Sequence, residues 1–384
     1  MRLEQHVLLL PMIWVFPPNP NKFETHLSDS QRIAEAVSVL RRGDLLAMPT
    51  ETVYGLGADA SNAIAVEKIY QLKGRPANHP LIVHLQAPPA DSKQKEEDWL
   101  AILSPWARHI PESALVLIQH FWPGPLTLVF QKSKSVLDCV TGGQGTVALR
   151  SPSHPLAQDL LKAFGGGIAA PSANRFGRIS PTSAAHVRAE FIDCNDLLIL
   201  DGGDCQFGIE STILDVSTEG APRLLRPGSI TLQQVKERTG IDVVTGAQDI
   251  VSSPRVSGSL KAHYAPQTPL YLYSGDQWRA QLQKCLQEDL LGKKVALVLW
   301  DQEQLNTALP QDDVANKIDC IFVPQEPFQF AQGLYRLLRD LDQSNYQSIY
   351  MPTPPAGEDW DAVRDRLQRA SFGSGPSSSN HISS

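Results

Sequence analysis

The sequence predicts an α/β protein in two parts: a mixed, twisted sheet with helices, followed by a smaller domain on a parallel, Rossmann-like sheet. Three observations support this. Up to about residue 240, apolar runs of strand length mix with amphipathic helix patterns without strict alternation. Beyond residue 270, strand and helix patterns alternate cleanly. Between them, residues 241–269 are rich in Ser, Gly, Pro and Val and keep no period, which marks a linker. A length of 384 residues fits roughly two domains of about 100–200 residues each.

The elements follow in chain order. Gln31 to Arg42 reads as an amphipathic helix with Ile33, Val37 and Leu40 on one face, capped by Ser28 to Ser30 and stopped by Gly43. Asp44 to Met48 is a short buried strand. Ala63 to Leu72 is a helix with Val66, Ile69 and Tyr70 inward and Gly74 as terminator. Pro80–Leu85, Leu126–Phe130, Thr146–Leu149, Ile168–Ala170, Leu197–Leu200, Thr212–Val216 and Arg223–Leu225 have strand length and apolar character. Pro155 to Phe164 and Leu232 to Arg238 are helices, the second closed by Gly240. In the C-terminal part, Leu270–Tyr273, Val295–Trp300, Ile318–Pro324 and Ser348–Met351 are strands. Gln277–Leu290, Phe328–Leu341 and Trp360–Arg369 are helices. The resulting division is an N-terminal extension 1–27, a first domain 28–240, the linker 241–269, a second domain 270–370 and a disordered Ser/Gly-rich tail 371–384.

Composition narrows the function classes. Apolar residues make up 42% and charged residues 20%, as in a globular protein. The net charge of −7 weighs against a dedicated nucleic-acid binder, which carries a basic face. Five scattered cysteines without a C-x-x-C argue against a disulfide framework and a zinc site, so a reducing cytosol is expected. The apolar run Val7 to Phe16 is too short for a bilayer, which needs about 20 residues. It also makes a poor signal peptide, because Pro11 interrupts it and PPNP follows it. A buried strand or an extension upstream of the true start fits it better.

Five stretches carry possible chemistry. PTETVYGLG (Pro49–Gly57) is a turn dense in hydroxyls and glycines whose backbone can approach an anion. Read plainly, it is only a strand–loop connection. KGRPANHPLIVH (Lys73–His84) places Lys73 and Arg75 just past a helix end. The helix dipole alone favours cations there. Pro76, however, fixes the exit, and a fixed Lys and Arg pair suits a polyphosphate. His79 and His84 follow within reach. TVALR closes an apolar strand with Arg150, which can clamp a carboxylate or form a surface ion pair. APSAN (Ala170–Asn174) and SPT (Ser180–Thr182) hold hydroxyls and an amide at a strand end, suited to a polar ligand or to turn chemistry. GIESTILD and LLRPG repeat the pattern with Ser211, Thr212 and Arg226. Jointly they place hydroxyls and cations at the ends of several strands, which points to one pocket. There is no P-loop, no H-E-x-x-H and no G-x-S-x-G elbow.

In this order and spacing, these stretches resemble the YrdC family in its long, two-domain form, strongly over about residues 28–240 and through the linker HYAP, His263 to Pro266. The resemblance implies a YrdC-like catalytic domain and a nucleotidyltransferase. L-threonine, bicarbonate and ATP would give threonylcarbamoyl-AMP and pyrophosphate, for threonylcarbamoylation of tRNA by a separate transfer complex. It also implies residue roles. Thr52, His84, Arg150, Ser172, Ser211 and Thr212 match the threonine-binding set, with either Ser211 or Thr212 making the contact. Lys73, Arg75, His79, Thr146, Asn174, Ser180, Thr182, Arg226 and Tyr264 match the ATP set, with Lys73 and Arg75 central to catalysis and Tyr264 folding over the nucleotide. No protein-held metal is implied; magnesium would arrive with ATP. The linker reads VSGSLKAHY, without the Pro and Met common in the family before His-Tyr. Two alternatives remain: an RNA-binding module, and a carbamoyl-transfer enzyme of the same superfamily. Direct tRNA binding is expected to be weak or absent, and no membrane partner is expected.

Overall fold

A computed structural model of the chain describes residues 12–13, 28–246, 253–274, 294–301 and 318–375. The expected helix Gln277–Leu290, most of the N-terminal extension and residues 376–384 of the expected tail lie outside these.

The first described element is strand β1 (Met12–Ile13), and the next is helix α1 (Asp29–Arg41), where Ser28 and Gln31 form a capping box. Next come β2 (Leu46–Met48), β3 (Gly55–Asp59), α2 (Ala63–Lys73), β4 (Ile82–His84), α3 (Lys95–Leu103), α4 (Glu112–Phe121), β5 (Leu126–Gln131), α5 (Asp138–Thr141) and β6 (Thr146–Arg150). The first domain ends with α6 (Pro155–Phe164), β7 (Ile168–Ala169), α7 (Ala184–Glu190), β8 (Leu198–Ile199), β9 (Thr212–Asp215), β10 (Arg223–Arg226) and α8 (Leu232–Thr239). The second contains β11 (Leu270–Tyr273), β12 (Val295–Leu299), β13 (Ile318–Phe322), α9 (Pro327–Gln343), β14 (Ser348–Pro352) and α10 (Asp361–Gly373).

The first domain is a nine-stranded sheet in the order β10-β9-β5-β6-β4-β7-β3-β2-β8. Its pairings are both parallel and antiparallel, so the expected mixed sheet is what forms. Helices cover both faces. On one, Val37 and Leu40 of α1 pack with Leu160 and Leu161 of α6 over Leu46 and Met48. On the other, Val66 and Ile69 of α2, Trp99 of α3 and Leu117 of α4 pack over Leu81, Val83, Leu128 and Leu149.

Three expectations change. Gly55 to Gly57, read as part of an anion-binding turn, belong to strand β3. A Cβ on Gly55 would lie 3.1 Å from the Ala170 side chain, and one on Gly57 3.0 Å from Ile168. These glycines let neighbouring backbone and side chains pack closely, and Gly55 also lines the cavity described below. The stretch after residue 90 holds α3 and α4, which were not anticipated. Ser371 to Gly373, assigned to the disordered tail, are the last turn of α10, and the Ser371 hydroxyl donates to the Leu270 carbonyl at 2.9 Å.

The second domain is a five-stranded, all-parallel sheet, β1-β13-β12-β14-β11. Met12–Ile13, part of the apolar run near the N-terminus, forms its edge strand against Ile321 and Phe322. The core under α9 and α10 does not stop at the domain boundary. Val53, Ile179 and Ile209 of the first domain and Tyr264 of the linker join Phe330, Leu334, Tyr335 and Leu367 in one cluster. Gly208 sits where a Cβ would lie 2.3 Å from the Gln332 carbonyl oxygen, so the two backbones meet closely there. No helix among the described residues is long and apolar enough to cross a membrane.

Candidate active site

The sheet brings the functional strand ends together. β4 and β6 run parallel with His84 opposite Arg150 in register, so both side chains leave neighbouring strands at one level. β10 ends beside the start of β9, and an irregularity between Leu224 and Arg226 shifts the register there. Such a bulge re-aims the side chain that follows it, and the Arg226 guanidinium turns onto Ser211. The resulting cavity is lined by Thr52, His84, Arg150, Ser172, Ser211 and Arg226, among others, and is roofed by Ser257, His263 and Tyr264 of the linker.

One guanidinium belongs to Arg150. It donates to the Thr52 hydroxyl at 2.9 Å and to the Gly124 carbonyl at 3.3 Å. Its Nη2 lies 2.8 Å from a carboxylate oxygen of Glu51, an ion pair whose angles are too poor for a hydrogen bond. Thr50 holds this corner: its hydroxyl donates to the Val53 carbonyl at 2.6 Å and lies 2.9 Å from the Thr52 hydroxyl.

A second guanidinium belongs to Arg226. It donates to the Ser211 carbonyl at 2.9 Å and to the Ser257 carbonyl of the linker at 2.9 Å. Arg75 stands near, donating to the Pro80 carbonyl at 2.8 Å, with its Nη1 3.5 Å from the Ser257 hydroxyl. Gly74 closes α2 in the left-handed region at φ 63, which turns the chain so that Lys73 and Arg75 both point inward. The Lys73 ammonium donates to the Ser172 carbonyl at 2.6 Å and also contacts the Asn174 carbonyl.

These cations strain one another. Burial first, then the Arg75 charge, pushes the Lys73 ammonium well down. Burial, with a contribution from Arg226, pushes Arg75 down to about 10. Arg226 is lowered chiefly by burial. Arg75 Nε, Asn174 Oδ1, His263 Nδ1 and the Tyr264 hydroxyl find no hydrogen-bond partner among the described residues. Buried polar atoms of this kind are uncommon and call for a partner. Cations crowded beside them favour an anion.

The expected residues do not all converge. Ser211 lines the cavity, whereas the Thr212 hydroxyl is engaged with the Ile230 backbone at 2.7 and 3.0 Å. Ser180 lies behind the cavity and donates to Glu210 at 2.7 Å, and the Thr182 hydroxyl lies 3.2 Å from His186 Nδ1. Thr146 stands at the far end of β6 from Arg150, four residues or about 13 Å away. His79 packs edge-on against Phe176 at 5.4 Å and does not line the cavity.

Sequence reasoning passed over two carboxylates, Glu51 and Glu210. Glu210 lines the cavity and accepts from Ser180, from the Tyr335 hydroxyl at 2.8 Å and from Arg366 Nε at 2.9 Å. Burial would raise its pKa, but Arg366, Arg226 and these bonds outweigh that and hold it at about 2. The cations that mark them, Arg150 for Glu51 and Arg366 for Glu210, are distant in sequence, so no local signal could have found them.

Two buried histidines and one partly buried one carry a pH consequence. His84, His186 and His263 are pushed down to about 3, each chiefly by burial. They stay neutral in the fold, whereas the unfolded chain takes up their protons near pH 6.5. Stability is therefore full above that pH and is lost as pH falls toward 3, by up to about 1.4 kcal/mol per pH unit for each. Melting temperatures measured from pH 8 to pH 4 should drop once pH passes below about 6.5. A flat profile to pH 4 would contradict this burial.

Comparison with known proteins agrees with the architecture. The Sua5, YciO and YrdC family described as telomere recombination matches residues 38–228. The family described as threonylcarbamoyl-AMP synthase, C-terminal domain, matches residues 230–371. A threonylcarbamoyl-AMP synthase of Bacillus subtilis is 38% identical, covering 90% of this chain and 94% of the relative. One from Pyrococcus abyssi is 37% identical, covering 88% and 94%. A solved structure of P. abyssi Sua5 complexed with L-threonine superposes with a TM-score of 0.73 at 33% identity, covering 91% of this chain and 97% of that one. The chain belongs to the threonylcarbamoyl-AMP synthase family, in the form that joins a YrdC-type sheet to a second, parallel-sheet domain.

Proposed function

We propose that this protein is a threonylcarbamoyl-AMP synthase, a nucleotidyltransferase that uses L-threonine, bicarbonate and ATP. The observation that carries the reading is that two separate guanidinium groups line one cavity. Arg150, with Thr52, His84 and Ser172, suits the carboxylate and hydroxyl of an amino acid. Arg226, with Arg75 reaching the same linker residue Ser257 and Lys73 next to Arg75 behind the lining, suits a polyphosphate.

The threonine amine attacks the carbon of CO2 or bicarbonate and forms a carbamate, with loss of water in the bicarbonate case. A carbamate oxygen then attacks the α-phosphorus of ATP, and the bond to pyrophosphate breaks. Such a transfer needs positioning and charge neutralisation more than a covalent nucleophile. Buried cations provide both without reorganising when charge shifts to the leaving group. The linker roof of Ser257, His263 and Tyr264 excludes water, which would hydrolyse carbamate and adenylate alike.

Magnesium would enter on the triphosphate. Glu210 is the carboxylate among the lining residues, and its oxygens are taken by Ser180, Tyr335 and Arg366. Among the described residues no cluster of three or more His, Cys, Asp or Glu could hold a metal. The product would pass to a separate tRNA threonylcarbamoyl-transfer complex, and the net charge of −7 fits weak direct tRNA binding at most.

Incubation of the purified protein with ATP, bicarbonate and either threonine or serine tests the reading. Pyrophosphate release and an adenylate of threonylcarbamoyl mass are expected with threonine. Release independent of threonine, or none at all, sinks it.

A further inference from the structure

We infer that Arg366 and Tyr335, in the second domain, are positioning residues for the nucleotide: they seat the linker Tyr264 over the cavity and neutralise Glu210 within it. The inference rests on the proposed use of ATP.

Arg366 is fully buried, 0% exposed, in the middle of α10. Taking an arginine's charge from water is costly unless it is paired. Arg366 has two carboxylate partners: its Nη1 donates to Asp365 of its own domain at 2.8 Å, and the other partner lies in the first domain. Its Nε donates to Glu210 at 2.9 Å, and its guanidinium carbon lies 5.5 Å from the centre of the Tyr264 ring. Tyr335 of α9 donates to the same carboxylate at 2.8 Å and stacks on Tyr264 at 5.5 Å with planes 25° apart. One carboxylate of the cavity and one aromatic of its roof are thus held by the same two side chains.

Tyr264 needs such support. It adopts φ 61, in the left-handed region that side chains other than glycine avoid. Conformations of this kind persist only where the surroundings over-determine them. Here Ala265 N–H donates to the Gly177 carbonyl at 2.9 Å, and Arg369 of α10 contacts the Leu260 carbonyl. Gly258 lets the linker pass between Tyr264 and Arg226: a Cβ there would lie 2.3 Å from the Tyr264 hydroxyl and 3.1 Å from Arg226 Nη1.

The charge argument points the same way. Glu210 and Arg226 line the same cavity. With Arg366 in place the carboxylate has its own counter-charge, leaving Arg226 for a ligand anion. Without it, an uncompensated carboxylate would repel a triphosphate and compete for Arg226. Arg150 keeps its own counter-ion, Glu51, and should feel little of this.

The test compares wild type, Arg366→Met, the pair Glu210→Gln with Arg366→Met, and Tyr335→Phe. KM for ATP and kcat come from pyrophosphate release, and threonine affinity from titration calorimetry without ATP. Arg366→Met should raise KM for ATP at least about thirtyfold, the lower end for breaking a buried hydrogen-bonded charge pair, while threonine affinity stays within about threefold. Adding Glu210→Gln should bring KM for ATP back to within about fivefold of wild type, because the stranded charge is gone. Tyr335→Phe, which keeps the ring stack, should raise KM for ATP about fivefold, the size of one lost hydrogen bond. It provides the decision if Arg366→Met does not fold. An unchanged KM for ATP in the folded variants overturns the inference. So does equal loss of threonine affinity, or a double variant no better than Arg366→Met. A wild-type protein without threonine-dependent pyrophosphate release instead overturns the proposed function.

Discussion

Arg150→Met is expected to weaken threonine binding by about three orders of magnitude. Arg150 is buried, and three of its contacts are to Thr52, Gly124 and Glu51. Methionine keeps the apolar stem but loses the fork that would clamp an amino-acid carboxylate. It also leaves Glu51 buried with no cation beside it. A substrate carboxylate would then meet a like charge where it had met an opposite one. Truncating one partner of a buried charge pair costs about 2–5 kcal/mol, and every 1.4 kcal/mol is about tenfold in affinity, so the expected loss sits within this range. Folding stability should fall as well, by about 3–5 kcal/mol. Adding Glu51→Gln separates the effects: it should recover much of the lost melting temperature while threonine binding stays weak. Threonine affinity within tenfold of wild type, by calorimetry, would falsify the clamp.

Lys73→Ala should lower threonine-dependent pyrophosphate release at least about a hundredfold, the scale of losing one preorganised electrostatic group. Two losses combine. The ammonium stands close enough to Arg75 to feel its charge, and adds to the positive field there. It also ties down the Ser172 and Asn174 carbonyls, so it holds the loop that carries Ser172 into the cavity. The Asn174 carbonyl loses its donor when it goes, and the Ser172 carbonyl keeps only the Asn174 N–H. Lys73→Met, which fills more of the space, should be equally inactive but melt closer to wild type. Kinetics of the purified variants decide the matter, and near-normal turnover in both would remove Lys73 from the site. The position of its ammonium refines the expectation from sequence: Lys73 shapes the binding loop as well as contributing charge.

Local rules were enough wherever the pattern was complete within a few residues. Helix α6 runs from Pro155 to Phe164 as expected, because proline opens it and Gly165 closes it in the left-handed region at φ 75. The same holds for β11 and for the Gly74 stop of α2. Strand β3 was not legible, since GLGAD has weak strand propensity and forms through pairing with β2 and β7. Helix α4 lacks a side-chain cap after Pro111, so its apolar stretch gave no start signal.

The same contrast runs through the site. Lys73 and Arg75 at a helix end, and Arg150, Ser172 and Arg226 at strand ends, were readable because cations and hydroxyls at element ends are a local pattern. What each hydroxyl does was not readable. Ser211 and Thr212 are adjacent, yet one lines the cavity and the other bonds Ile230, a choice made by strand alternation once β9 is paired. The pairing of Glu210 with Arg366 spans 156 residues. By itself, the sequence determined the two-part α/β architecture, the family and the cation-rich strand ends, because each is written in short patterns. Only the tertiary structure decided which carboxylates offset those cations and how the second domain seats the roof. Burial and distant contacts set the cost of a charge, and neither is a property of neighbouring residues.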